Sequence, residues 1–512
     1  MIGDPFEGLR AYVGDIHNHC GISYGHGSIE DAFGNARMQL DFASVTGHGH
    51  FHDIPAELPP DDYHRVGFER LRRMWPHVQE VTESFHEPGS FVTFLSFEWH
   101  SMTHGDYCVY FNGSQGEIIR ADGLLALREE LRRLRGDGHD VMAIPHHIGY
   151  PRGRRGLNWE DFTSEFSPVV EMVSMHGCGE NDEAPLPYLH VMGPRDVGSM
   201  LIEGYRRGLR FGVIGSSDHH SAHPGSHGHG RAVVWADELT RQKIWDGIQS
   251  QRTYAITGDR IELRFSIGGS PMGSVLPVDT DRVLDIDVRG AGAIDFVDVV
   301  KDGERVYRWV PVAPVRTSSV FDGVVPVSVG WGHRNVAFDW DVELAVEGGE
   351  LTSVEPRFRG DEVLDPLRAD SETYRVSHWE RSGDNRVAFR TTTAGNPTTT
   401  TDGTQGVALW IRGDDRTRIV GRFNDDVIDL AIGQLRSGGH ARPVSGLLRG
   451  AYRIGRATDR SENDARFTWT DDTADPIRPN SYYVRVRQAN DQWAWSSPIW
   501  VGDPSEEFVR PV

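Results

Sequence analysis

The apolar run that ends in Val13-Gly-Asp-Ile-His-Asn-His19 constrains this chain more than any other stretch. Side chains alternate along a strand, so if residues 12–16 are extended, His17 and His19 leave its C-terminal end on one side. Two imidazoles delivered to one point suit a transition metal, and the further nitrogen or carboxylate ligands must come from elsewhere in the fold. The chain therefore needs an architecture in which several strand ends meet.

The 512 residues exceed what a single core usually supports, so at least two domains are expected. The pattern divides them into residues 1–260 and 261–512. A formal charge of −22 argues against a broad nucleic-acid surface, which draws on clustered Lys and Arg. Cys20, Cys108 and Cys178 are the only cysteines. Without zinc-finger spacing they read as reduced, buried thiols, Cys20 included despite its neighbour His19. No apolar run reaches membrane-spanning length. Met1-Ile-Gly-Asp-Pro-Phe-Glu lacks the basic start and apolar core of a signal peptide, which makes a cytoplasmic location the expectation. The expected partner is a small-molecule substrate, with no nucleic acid and no membrane, and a homo-oligomer is allowed.

Of the 24 histidines, only His333, His378 and His440 follow Asp259, so the first half holds nearly all the metal-binding capacity. That half alternates strand-like and helix-like segments, the pattern of an α/β domain with its site at the C-terminal ends of parallel strands. Apolar character predicts strands at residues 12–16, 42–46, 91–97, 107–111, 141–144, 169–173 and 211–214. Helices are predicted at 29–39 with Ser28 as N-cap, at 123–135 from the spacing of Leu124, Leu127, Leu131 and Leu134, and at 241–251.

Histidines and acids fall at the ends of these strands. His17 and His19 follow the first, His48 the second, Glu98 ends the third and His104 precedes the fourth. His146 follows the fifth, His176 the sixth, and Asp218 and His220 the last. Burying so many polar groups without partners is costly, so the joint pattern points to metal. Single histidines such as His139 and His190, and His64, His77 and His86 in a helical region, are expected to be surface or satisfied core residues.

The motifs Gly14-Asp-Ile-His-Asn-His19, Asp41-Phe-Ala-Ser-Val-Thr-Gly-His48, Phe97-Glu-Trp99, Ile144-Pro-His-His147 and Gly215-Ser-Ser-Asp-His-His220 resemble the PHP (polymerase and histidinol phosphatase) superfamily of metal-dependent phosphoesterases. Within it, the similarity is to the DUF3604 group, which carries a β-rich extension. Arg252-Thr-Tyr-Ala-Ile-Thr-Gly-Asp-Arg-Ile261, Tyr482-Tyr-Val-Arg-Val486 and Ala494-Trp-Ser-Ser-Pro-Ile-Trp500 extend it, leaving about 310–449 unmatched. The resemblance implies an α/β fold, a distorted (β/α)7 barrel, holding two or three divalent ions. By the same resemblance His17, His19, Glu98 and Asp218 would hold the first ion. Glu98 would bridge to a second with His104 and His146, and His26, His48 and His220 would hold a third. His100 competes with His104, and His147 with His146. Gly47 stands where the family motif has Asp, and the nearby His50 and His52 read as exposed loop residues.

Histidine-rich ligation suits zinc, manganese or iron. Such ions would generate a metal-bound hydroxide and clamp the oxygens of a phosphoester. Glu98, Asp218 and His176 are the candidate catalytic residues, the carboxylates as ligands and His176 as substrate contact or proton donor. Arg152, Arg154 and Arg155 offer forks for phosphate, although an exposed basic turn has the same composition. Trp99 reads as a core aromatic that could also wall the pocket. The competing functions are PHP-fold cleavage of an ester, amide, lactone or carbon–carbon bond, and a non-enzymatic carbohydrate- or partner-binding metalloprotein.

Past Asp259 the pattern changes to short alternating runs such as residues 261–267 and 297–300. Lys301-Asp-Gly-Glu304 predicts a tight hairpin. Residues 391–406 read as a Thr- and Gly-rich flexible insert, and a β-sandwich, alone or with a smaller β unit, is the expected architecture. Trp410, Trp469, Trp493 and Trp495 are expected to pack in a core or interface rather than form a carbohydrate platform.

Overall fold

The computed structural model describes residues 4–189, 191–312, 318–361, 377–397, 401–444, 446 and 448–502. His190 and residues 398–400 of the Thr-rich stretch lie outside the described residues.

The first half lays down β1 (Arg10–Asp15), α1 (Ile29–Gln39), β2 (Phe42–Ser44), β3 (Gly47–Phe51), α2 (Tyr63–Ser84), β4 (Val92–His100), β5 (Tyr107–Phe111) and α3 (Leu124–Gly136). There follow β6 (Val141–Pro145), β7 (Val169–Ser174), β8 (Gly177–Cys178), α4 (Leu201–Arg206), β9 (Gly212–Gly215), β10 (Arg231–Ala236), α5 (Arg241–Gln249) and β11 (Thr253–Ile256). Ser28 starts α1 by accepting the Asp31 N–H at 3.0 Å. Leu124, Leu127, Leu131 and Leu134 form the buried stripe of α3.

β1, β2 and β4 run parallel. β5 runs antiparallel to both β4 and β6, because the short β4–β5 connection holds no crossover helix and the chain must reverse. The ladder β11-β10-β1-β2-β4-β5-β6 is open, and β8-β7-β9 form a separate small sheet. The mixed α/β class expected of this half is what forms. Among the described residues the hydrogen bonds do not close seven strands into a ring. β7 and β9 lie beside β6 and β11, joined at one seam by Ala143 N–H on the Phe166 carbonyl at 2.8 Å.

The second half is β-rich. Val320–Gly330, Glu350–Pro356 and Gln405–Asp414 lie in a six-stranded sheet, and Phe338–Glu347, Arg386–Thr393 and Arg418–Phe423 in a five-stranded one. Alternate residues of both, among them Phe321, Val342, Leu344, Leu409 and Ile411, share one apolar core, the arrangement of a sandwich. Residues 391–393 and 405–406 belong to strands, so the Thr-rich stretch is ordered at both ends. Asp302 (φ 52°) and Gly303 (φ 83°) turn the hairpin between Ile294–Lys301 and Glu304–Trp309, as an Asp-Gly turn demands.

The C-terminal strands return to the first half, where Trp493–Ser496 pairs antiparallel with β11. Trp495 is buried there and donates its indole N–H to Glu180 at 2.9 Å, while Trp493 stacks on it. Trp469 stacks on Tyr307, and Trp410 lies under the Arg460 guanidinium. All four tryptophans are thus engaged in packing. No helix among the described residues is long and apolar enough to cross a membrane.

Candidate metal centre

One buried carboxylate draws the strand ends together. Asp15, at the end of β1, accepts backbone N–H groups of His17 (3.1 Å), Ser217 (3.1 Å) and Gly225 (2.6 Å), and the Ser217 hydroxyl. The loop after β9 is thereby fastened to the end of β1. Asp218 N–H then reaches the His17 carbonyl at 2.7 Å, and His19 N–H the His219 carbonyl at 2.7 Å. Gly14 permits the approach of β2, since a Cβ there would sit 2.3 Å from the Phe42 ring. Asp218 (φ 50°) and His147 (φ 55°) adopt left-handed backbone, a strain that functional sites often store.

The result is a continuous imidazole–carboxylate cluster. His17 Nε2 lies 3.2 Å from His19 Nε2, and Asp218 Oδ1 lies 3.3 and 3.0 Å from the two. Glu98 Oε1 is 2.7 Å from His146 Nε2 and 3.3 Å from His100 Nδ1. Its other oxygen is 2.6 Å from His48 Nδ1 and 3.6 Å from His19 Nε2. His176 Nε2 and His147 Nε2 approach Asp218 Oδ2 at 3.0 and 3.7 Å. His220 Nδ1 accompanies the Asp218 carbonyl at 2.8 Å, and its ring centroid lies 4.4 Å from that of His19.

Burial works against both carboxylates, yet both stay well below the usual range. The rings of His100, His48 and His146 hold Glu98 there, and His17 and His176 hold Asp218. Burial pushes His19 down, and His48 and His147 far down. It also opposes charge on His17, but Asp218, Cys108 and Glu171 outweigh it and lift that ring. Ionised acids among imidazoles are what a cation requires of its ligands.

The donor set fits divalent metal on direct observations. His19 Nδ1, His48 Nε2 and His147 Nδ1 are buried without a hydrogen bond among the described residues. Several groups of donors each lie within 4.8 Å of one another, among them His17, His19 and Asp218; His19, His48 and His220; His48, Glu98 and His100; and Glu98, Asp106, His146 and His147.

Not every residue expected at the site is brought to it. His104 is carried off by the turn after β4, whose Met102 and Thr103 N–H groups and Ser101 hydroxyl bond to Asp53. Its ring pairs with Asp161 at 2.8 Å. His100 takes the position beside Glu98. Arg152 is exposed and approaches Asp196 at 3.6 Å, and Arg154 is exposed on the same turn. Arg155 alone of the three turns inward, its Nε donating to Asp106 at 2.6 Å and its Nη2 lying 3.0 Å from His100 Nδ1. The His26 backbone N–H meets the His220 carbonyl at 2.8 Å, which seats its loop beside the cluster. Trp99 is fully buried and donates to the Ala121 carbonyl, a core role.

Three further groups lie beside the cluster and carry no motif in the sequence: Asp106 and Glu171, both acids inside or beside apolar strands, and the buried thiol Cys108, whose Sγ lies 3.6 Å from His146 Nδ1. Arg359, in a segment equally without a motif, lines the cavity above the cluster. That cavity has a volume of about 810 Å³ and is lined by Tyr24, Glu98, Arg155, His176, Asp218 and His220 with residues of the C-terminal half.

Residues 224–274 match the family model described as "Protein of unknown function (DUF3604)". The chain is similar to an uncharacterised protein of Chlamydia pneumoniae, 23% identical over 274 residues, covering 50% of this chain and 44% of that one. A second similarity is to an uncharacterised protein of Chlamydia muridarum, 25% identical over 190 residues, with 34% and 30% covered. The chain thus spans less than half the length of these relatives. A crystal structure of a two-domain protein containing a predicted PHP-like metal-dependent phosphoesterase, from Bacteroides vulgatus, is 11% identical with a TM-score of 0.29. That likeness covers 84% of this chain and 98% of the other.

Proposed function

As a relative of the DUF3604 family, this protein is, we propose, a PHP-type metal-dependent hydrolase whose favoured substrates are phosphoesters of small molecules. The observation that carries the reading is the meeting of Glu98 and Asp218 with seven imidazoles, those of His17, His19, His48, His100, His146, His147 and His176, in one cluster beneath a cavity that both carboxylates line. In this reading β10, β1, β2, β4, β5 and β6, with β7 and β9 alongside, are a distorted barrel. The C-terminal ends of β1, β4 and β6, strand β3, and the loops after β7 and β9 supply the ligands.

Two or three ions would be held by His17, His19 and Asp218, by Glu98 with His100 and His146, and by His48 and His220. When bound, zinc, manganese or iron polarises a phosphoryl oxygen and renders a water acidic near neutral pH.

The chain's own residues do the rest. Glu171 and Asp106 orient His17 and Arg155. Arg155 is lifted above its usual range, since Asp106, Tyr24 and Glu98 outweigh its burial, so it stays a cation facing the cavity. It can hold a non-bridging oxygen. His176, held by Asp218 and partly open to the cavity, is placed to contact the leaving portion of the substrate.

The test is turnover of aryl phosphate mono- and diesters beside aryl esters by protein loaded with manganese or zinc. Phosphate turnover is expected. Activity on esters with none on phosphates would overturn the reading in favour of acyl chemistry.

A further inference from the structure

Resting on that reading, we propose that Asp402, positioned by Arg359, and Gln492, all from the C-terminal half, recognise hydroxyl groups on the leaving portion of the substrate. The substrates are then phosphorylated sugars or polyols.

Arg359 follows the sandwich strand Glu350–Pro356, and its segment is fastened to the loop after β9. His227 N–H donates to the Phe358 carbonyl at 3.0 Å, and Gly360 N–H to the Ser226 hydroxyl at 3.2 Å. Gly360 is needed for this approach, because a Cβ there would meet the His219 ring at 2.4 Å.

The guanidinium is oriented by a relay. Asp259 Oδ1 lies 2.9 Å from His227 Nε2, and His227 Nδ1 lies 3.1 Å from Arg359 Nη2. Burial keeps His227 neutral, pushing it down to about 3. Its one proton then sits on Nε2 toward Asp259, and Nδ1 accepts from Arg359. Arg359 Nη1 donates to the Thr404 carbonyl and hydroxyl at 2.6 and 3.1 Å. The fork is therefore fixed before any ligand arrives.

Charge decides which ligand it suits. Arg359 Nη2 is paired with Asp402 at 2.9 Å, and that carboxylate is 53% exposed. Both line the cavity. A second anion on the substrate would meet a neutralised guanidinium and an exposed carboxylate, so it gains little. A hydroxyl gains instead, donating to the exposed Asp402 carboxylate that Arg359 holds in place. Gln492 accepts from the Thr257 hydroxyl (2.9 Å) and the Asp259 N–H (3.3 Å) on its Oε1, which fixes the side chain at the cavity wall. His229 Nδ1, buried at the same wall, has no partner among the described residues. Met175, Leu186 and Pro187 give the cavity an apolar side, matching the C–H face of a sugar ring.

The test uses the metal-loaded full chain. Aryl phosphate turnover alone probes the parent reading. On hexose 6-phosphate, aryl phosphate and 3-phosphoglycerate, kcat/KM is expected to be highest for the hexose ester. Asp402→Asn is expected to lower the hexose-to-aryl ratio of kcat/KM about tenfold, the worth of a charge-assisted hydrogen bond. A ratio moved by neither Asp402→Asn nor Gln492→Ala, or a preference for 3-phosphoglycerate, overturns the proposal. If no phosphate ester turns over, the parent reading fails and saturation-transfer NMR with free glucose decides this one. Contact in the wild type that is lost in Asp402→Asn supports it, and no contact overturns it.

Discussion

Glu171 Oε2 lies 2.8 Å from His17 Nδ1, although 154 residues separate them. The carboxylate sits in β7 among apolar neighbours and is nearly fully buried, so its lone pairs need a donor. Taking the Nδ1 proton leaves His17 Nε2 as the lone pair facing His19 and Asp218. A carboxylate behind a ligating histidine typically raises metal affinity 10–100-fold. Glu171→Gln is therefore expected to release metal to a competing chelator at about that factor lower concentration, measured by equilibrium dialysis. Unchanged affinity would remove the orienting role.

His100 and His104 give a paired prediction. His100→Ala removes a ring 3.3 Å from Glu98 Oε1 and should cost both metal and turnover. His104→Ala breaks the partly exposed pair with Asp161, a loss of under about 1 kcal/mol, and a ring contact with His52, and should leave metal content intact. Metal analysis of the two purified variants checks this; the reverse result would restore His104 as the ligand.

These two residues also mark how far the sequence could be read. His17, His19, Glu98 and Asp218 stood out because each ends or follows an apolar strand, and strand ends meet in an α/β fold. His100 was harder to see, because β4 runs through Glu98 to residue 100, beyond the apolar run. Glu171 inside β7 carried no local signal, since its role depends on a partner from another strand. Arg359 lies in a segment with no recognisable motif, and its approach to His227 spans 132 residues. The antiparallel course of β5 follows from a connection too short for a helix, which periodicity does not report.

Asp106 and Arg155 form a buried pair, with Nη2 and Oδ2 2.5 Å apart and Asp106 fully enclosed. Removing one partner of such a pair leaves the other charge uncompensated, at about 3–5 kcal/mol. Arg155→Met should thus lower stability in urea by roughly that amount, and adding Asp106→Asn should recover part of the loss. Additive losses in the double variant would show that the two do not act as a pair.

Chelation should lower the melting temperature of the metal-loaded protein. An ion that binds only the folded chain stabilises it by about 2.7 kcal/mol at a concentration 100 times its Kd. The Nε2 atoms of His17 and His19 and Asp218 Oδ1 are the atoms that lose a partner. Differential scanning fluorimetry with and without chelator measures the effect, and restoration by added zinc or manganese but not magnesium is expected from the nitrogen-rich donor set. Identical melting in all conditions would argue against a native metal centre.

Acid should destabilise the protein through histidines outside the cluster as well. His223 is buried, neither ring nitrogen has a hydrogen-bond partner among the described residues, and burial with Arg231 and His229 nearby pushes it down to about 3. The unfolded ring titrates near 6.5, so between pH 6.5 and 3 the unfolded chain binds a proton that the folded chain refuses. Stability therefore rises with pH across that window, by up to about 1.4 kcal/mol per pH unit for each such group. His227, also pushed down to about 3, adds to the same slope. In chelated protein, where metal release cannot contribute, His223→Gln is expected to flatten the fall in urea midpoint between pH 7.5 and 5. An identical pH slope in wild type and variant would mean that His223 is already protonated in the folded chain, or that its burial is relieved before unfolding.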